Sequence, residues 1–190
     1  MAIRFKGGAA AIQQLNTFTF TGTWVVGNLI TVTIGSKSWS YAITSTTIGT
    51  FLPLLVTAYN ALSASDYPEM AEQTAASTSP AFTLTADTAG KPFTATISTN
   101  SAAGLINGGV SSTGTATTAS SGPEDWSTAA NWSGGAVPIN ADDVVLDLPT
   151  PIKYGLAQSG VTLTSLTFGR GFNAQAQLEI LGVFAGEVEH

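Results

Sequence analysis

The chain has 190 residues, only 9% of them charged and 44% apolar, with 28 Thr, 18 Ser and 20 Gly making up much of the rest. It contains no cysteine, its one histidine is His190, and its net charge is −6. Disulfides, thiolate metal sites, cysteine nucleophiles and histidine-based triads are therefore excluded, and an enzyme, a cofactor or a nucleic-acid partner is not expected. Abundant Val, Ile and Thr beside four Trp, four Tyr and nine Phe predict a folded, β-rich chain rather than a disordered one. No run of about 18 apolar residues marks a membrane span.

Residues 1–15 read as an N-terminal arm. Arg4 and Lys6 hold two of the six basic charges, and Gly7-Gly8 follows. Such a segment is either a frayed terminus or a tether that docks on a partner. In the second case Arg4, Phe5 and Lys6 are the anchoring residues. No apolar run follows the basic pair, so no secretory signal is predicted.

Residues 16–101 read as a small α+β domain. Thr17–Thr21, Leu29–Ile34 and Ser38–Ile43 alternate apolar with Ser, Thr or Ala, with Gly35-Ser36-Lys37 as a turn signal between the last two, a hairpin pattern. The period then changes. Ile48, Phe51, Leu52, Leu55, Tyr59 and Leu62 recur at helical spacing and predict a helix over about 50–63, with Pro53 tolerated in its first turn. Strands are expected again near 70–75, 82–86 and 93–98. The order β-β-α-β-β-β places one helix on one face of a mainly antiparallel sheet.

Residues 102–122, without a single charge and dominated by Ser, Thr, Gly and Ala, read as a linker. Residues 123–190 form an all-β module of short strands: Val144–Leu148, Ile152–Tyr154, Val161–Phe168 and Leu178–Leu181. A β-solenoid or a sandwich fragment fits this pattern, and exposed edges in so small a module call for partner subunits. Trp126, Trp132, Val161, Leu163 and Phe168 are its candidate assembly residues. Trp126 and Trp132 serve either as core anchors or as a sugar-stacking platform, and large core anchors are the commoner use of such side chains. Asp142, Asp143 and Asp147 are weak candidates for Ca²⁺ ligands, since their spacing matches no known calcium loop and Asp is an ordinary turn former. The same acids lack the aromatic cleft signature of a glycosidase.

The run from Asp125-Trp126 through Asn131-Trp132-Ser133-Gly134-Gly135, Val137-Pro138 and Asp142-Asp143-Val144 resembles the opening of repeated β-structures in bacterial and phage surface proteins. Upstream, Met1–Gly7, the Thr-rich strands, Tyr59-Asn60-Ala61 and Leu84–Phe93 resemble structural proteins of tailed phages and prophages. The resemblance implies a virion protein that decorates or cements a capsid, or forms the base of a head fibre. It further implies a β-helical C-terminal part whose first rung the Trp pair caps, the major capsid protein as partner, self-association as a homotrimer, and a place on the outer capsid surface. A tail or cell-surface adhesin for glycans is the alternative, and a self-assembling extracellular filament a weaker one.

Overall fold

A computed structural model describes residues 2–148 and 150–172. Within these, the chain runs β1 (Ile3–Arg4), β2 (Leu15–Gly22), β3 (Leu29–Ile34), β4 (Lys37–Ala42), α1 (Ile48–Asn60), β5 (Gln73–Thr78), β6 (Ala81–Ala86), β7 (Ala95–Thr99), β8 (Gly104–Ile106), β9 (Ser111–Thr113), β10 (Thr115–Thr118), β11 (Asp143–Leu146) and β12 (Ser165–Phe168). The protein is mainly β with one α-helix, and among the described residues no sheet closes into a barrel. It divides into two units. One is continuous, residues 13–120; the other joins residues 1–12 to residues from 121 onward.

The continuous unit holds two antiparallel sheets, one ordered β10-β2-β6-β5 with β8 also on β2, the other β4-β3-β7-β9. Alternation builds them. Along β2 the buried Asn16, Phe18 and Phe20 interleave with Leu15, Thr17 and Thr19, and along β3 the buried Ile30, Val32 and Ile34 interleave with Leu29, Thr31 and Thr33. Both sheets and the helix share one core, in which Phe18, Phe20, Trp24, Phe51, Leu55, Tyr59 and Phe82 are fully or almost fully buried. Phe51, Leu52, Leu55 and Tyr59 form the buried stripe of α1; because the helix starts at Ile48 and not near residue 50, Pro53 falls in its second turn rather than its first and removes one backbone i→i−4 hydrogen bond there. The helix is held to β5 by Asn60, whose amide donates to the Ala75 carbonyl and accepts from the Ala75 N–H.

Several expectations need revision. Within the 13–120 unit three strands, not two, precede the helix, and there are two sheets where one was expected, because β2 pairs with β6 while β3 pairs with β4 and β7. Residues 70–72 form a 3₁₀ turn, with β5 starting at Gln73. The stretch 102–122 is no linker: β8, β9 and β10 within it complete the edges of both sheets. Two of its glycines, Gly104 and Gly114, are packing requirements rather than flexible joints. A Cβ on Gly104 would lie 2.7 Å from the Trp24 ring, and one on Gly114 would lie 2.6 Å from the Phe18 ring. The backbone there must touch aromatic faces directly.

The discontinuous unit contains a parallel ladder ordered β1-β11-β12. Ile3 pairs with Val144, and Val144 in turn pairs with Leu166. The first residues are thus a strand and its continuation, not a free arm. Ile12 and Ser121 exchange backbone hydrogen bonds of 2.7 and 3.5 Å, so the whole 13–120 unit is inserted between two hydrogen-bonded points of the other. The strand expected at Leu178–Leu181 lies outside the described residues.

Candidate functional site

The core of the discontinuous unit is built around Phe5, Trp126 and Trp132, with Val144, Leu146 and Ile152. Trp126 and Trp132 meet edge to face at 4.6 Å between centroids, and Phe5 meets Trp132 in the same manner at 5.0 Å. The Trp132 indole N–H donates to the Trp126 carbonyl at 2.7 Å, while the buried Trp126 indole nitrogen has no hydrogen-bond partner among the described residues. Both tryptophans are almost fully buried. They are core anchors, and neither face is open for stacking on a sugar.

The motif around them explains itself residue by residue. The Asp125 carboxylate accepts from the Ser127 N–H and the Thr128 hydroxyl, closing the turn that delivers Trp126 and then a 3₁₀ turn over Ala129–Asn131. Asn131, fully buried, accepts from the Ala9 N–H at 2.9 Å and donates to the Gly122 and Asp125 carbonyls at 2.7 and 2.8 Å. Next, Asn131 and Ser133 clasp the outer side of β1. The Lys6 N–H donates to the Asn131 carbonyl, the Arg4 N–H to the Ser133 hydroxyl, and the Ser133 N–H to the Arg4 carbonyl. The other side of the strand pairs with β11, through the Phe5 N–H and the Val145 carbonyl. This edge of the ladder is therefore covered.

The remaining expected residues fall in different places. Arg4 and Lys6 are exposed, and among the described residues neither joins an ion pair. Phe5 is only 4% exposed, so its ring is a core member and not a free anchor. Leu163 packs on the aromatic cluster from the side, half-buried. Val161 is half-buried outside it. Phe168 is 42% exposed and touches Phe172 at 4.5 Å between centroids. It sits at the end of β12, and among the described residues no strand covers the far side of β12.

The three aspartates do not converge. Asp142 accepts from the Ile139 N–H, Asp143 from the Ser165 hydroxyl and Asp147 from the Gly171 N–H, each stabilising its own turn or rung. Among the described residues no group of three acidic or histidine side chains could hold a metal ion. Nearby, the Glu124 carboxylate accepts from the exposed Lys153 ammonium at 2.9 Å; that hydrogen bond and charge raise the lysine pKa above its ordinary value. No helix among the described residues is long and apolar enough to cross a membrane.

Asn131 is the residue that spacing arguments passed over. Its signal was its place inside the Asn131-Trp132-Ser133 run, between two anchors. No protein-family model, curated protein or solved structure matches the chain.

Proposed function

We propose that the chain is a non-enzymatic virion structural protein, decorating or cementing a phage capsid or forming the base of a head fibre. The observation that carries this reading is the asymmetry of the parallel ladder. Its first edge is clasped by Asn131-Trp132-Ser133 and sealed beneath by Phe5, Trp126 and Trp132. Its other edge carries a register of 22 positions between β11 and β12 and ends on the exposed Phe168. A capped start followed by a repeating parallel rung is how a β-solenoid begins, and a solenoid needs such a cap on its terminal apolar face. We assign the C-terminal module to that architecture.

In this reading the module self-associates as a homotrimer, and each subunit's modest contact with the major capsid protein is reinforced by avidity on a lattice. The neutral Ser/Thr coating of the sheets suits close approach, because little charge has to be desolvated. Burial of Trp126 and Trp132 removes the aromatic platform on which glycan adhesion rested.

Immunogold electron microscopy on purified particles, with antibody raised to this chain, tests the assignment. Label over the head lattice is expected. Label at the tail tip or on cell envelopes would overturn it.

A further inference from the structure

Strands β8 and β9 form a hairpin that straps the two sheets of the 13–120 unit together. β8 pairs with β2, with Phe20 opposite Ile106, while β9 pairs with β7, with Ser98 opposite Ser111. The turn between them is Ile106-Asn107-Gly108-Gly109. Its ends exchange hydrogen bonds, the Ile106 N–H donating to the Gly109 carbonyl at 2.6 Å and the Gly109 N–H to the Ile106 carbonyl at 3.0 Å. Asn107 stands at φ 49° and Gly108 at φ 83°. Two central residues of positive φ make the tight hairpin turn for which Asn-Gly is a preferred pair.

Asn107 also fastens the strap. Its N–H donates to the Thr19 carbonyl, and its carboxamide oxygen accepts from the Thr19 N–H, both at 2.6 Å. Its carboxamide nitrogen donates to the Ser112 hydroxyl at 2.8 Å. One side chain is thus bonded to the first sheet through β2 and to the second through β9. The same pair carries a chemical liability. Of the eight asparagines, Asn107 alone is followed by glycine, so the backbone nitrogen next to its carboxamide is unhindered by a side chain. Both residues are exposed to water, a Cβ on Gly108 would meet nothing within 4 Å, and among the described residues the Gly108 N–H makes no hydrogen bond.

We propose that Asn107-Gly108 is a self-modification site of this chain, where the asparagine deamidates through a cyclic imide, and that the folded strap holds this reaction off. The Gly108 nitrogen gives up its proton and bonds to Asn107 Cγ; the Cγ–Nδ2 bond breaks, and the amide nitrogen leaves with that proton as ammonia. Water then opens the imide. Cleavage between Cγ and the Gly108 nitrogen gives aspartate, and cleavage between the Asn107 carbonyl carbon and that nitrogen gives isoaspartate, whose main chain runs through Cβ and Cγ. Closing the ring requires Cγ to swing onto the Gly108 nitrogen and ψ of Asn107 to change. Thr19 and Ser112 resist the first movement, and the reciprocal Ile106–Gly109 bonds resist the second. The reaction therefore draws on the minor population in which the hairpin is open. Its products undo the strap, because a carboxylate has no N–H for Ser112 and isoaspartate lengthens a turn built for two residues.

The test incubates the full chain in mildly alkaline buffer, folded and in urea that unfolds it, with peptide mapping by mass spectrometry and enzymatic methylation of isoaspartate as readouts. In urea, Asn107 is expected to gain one mass unit and the methyl label faster than any other asparagine. In buffer its rate is expected to be at least tenfold lower. Ser112→Ala, which removes one clamp, is expected to raise the rate in buffer several-fold and leave the rate in urea unchanged, whereas Ser112→Thr keeps the hydroxyl and the wild-type rate. Equal rates in buffer and urea would overturn the protection by the fold. An Asn107 no faster than the other asparagines in urea would overturn the site itself. An unchanged rate for Ser112→Ala in buffer would remove Ser112 from the clamp, and should that variant not fold, the wild-type comparison between buffer and urea decides alone.

Discussion

Phe5→Ala separates a structural strand from a docking arm. The wild-type ring is nearly inaccessible, packs edge-on against Trp132 at 5.0 Å, and belongs to a small aromatic and aliphatic cluster. Truncating a buried Phe to Ala costs about 3–5 kcal/mol, counting both lost transfer energy and the cavity left behind. Domains are typically stable by about 5–15 kcal/mol, and a module with so few core residues belongs near the lower bound. At an m-value of about 1 kcal/mol/M its urea midpoint falls by about 3–5 M, to about 2 M or below, so spectra are compared in about 3 M urea, where the wild-type module is still folded and the variant's is not. Indole N–H signals in a ¹⁵N-correlated NMR spectrum read the two units separately, because Trp126 and Trp132 lie in this module while Trp24 and Trp39 lie in the inserted one. The Trp126 and Trp132 signals are expected to lose their native dispersion and the other two to keep it. The exposed pair Arg4→Glu/Lys6→Glu is expected to leave all four in place. Four native signals and an unchanged midpoint in Phe5→Ala would refute the reasoning and return residues 1–6 to the role of a tether.

Other substitutions probe the remaining assignments. Asn131→Ala strands the Ala9 N–H and the Gly122 and Asp125 carbonyls, at about 1–3 kcal/mol for each buried group left unpaired, so urea denaturation is expected to show loss of this module alone. Gly104→Ala drives a methyl into the Trp24 ring and is expected to cost about 1–3 kcal/mol in thermal melts, whereas Gly134→Ala, with open space around its Cβ, is expected to be neutral within about 0.5 kcal/mol. Burial first, and the Asp87 carboxylate second, hold the Tyr59 phenol well above its ordinary pKa of 10.0. Its neutral form is favoured in the folded state, so this stabilisation is complete below pH 10 and is lost as pH rises beyond it. Tyr59→Phe is expected to flatten that alkaline decline in stability while giving up only the 3.3 Å bond to the Met70 carbonyl at neutral pH.

What was legible in the sequence follows physical lines. Strands with one buried face announce themselves by alternation, and β2, β3, β4 and β6 lie where Thr-Phe-Thr-Phe, Leu-Ile-Thr-Val, Ser-Trp-Ser-Tyr and Phe-Thr-Leu-Thr placed them. The helix was legible through Phe51, Leu52, Leu55 and Tyr59. Strands β8 to β10 were not, because their work is done by backbone pairing and by glycines against aromatic rings, leaving only a Ser/Thr/Gly composition to read. Strand β1 escaped for a different reason. It is two residues long, and what makes it a strand is a partner far along the chain. The Trp pair was correctly weighted toward the core, but the clasp through Asn131 and Ser133 required knowing that Arg4 lies beside them.

The pairing of Ile3 with Val144 sets a timetable for synthesis. At roughly 5–20 residues per second, β1 leaves the ribosome many seconds ahead of the strand it pairs with, and throughout that delay the Phe5 ring lacks its Trp132 partner. The 13–120 unit, emerging complete in the interval, can fold first. In doing so it draws its own entry and exit points together and shortens the search that β1 must make for β11. The inserted unit thereby acts as an intramolecular assembly aid for the module built from its flanking segments, and nascent chains released before Val144 carry a β1 segment without its pairing strand.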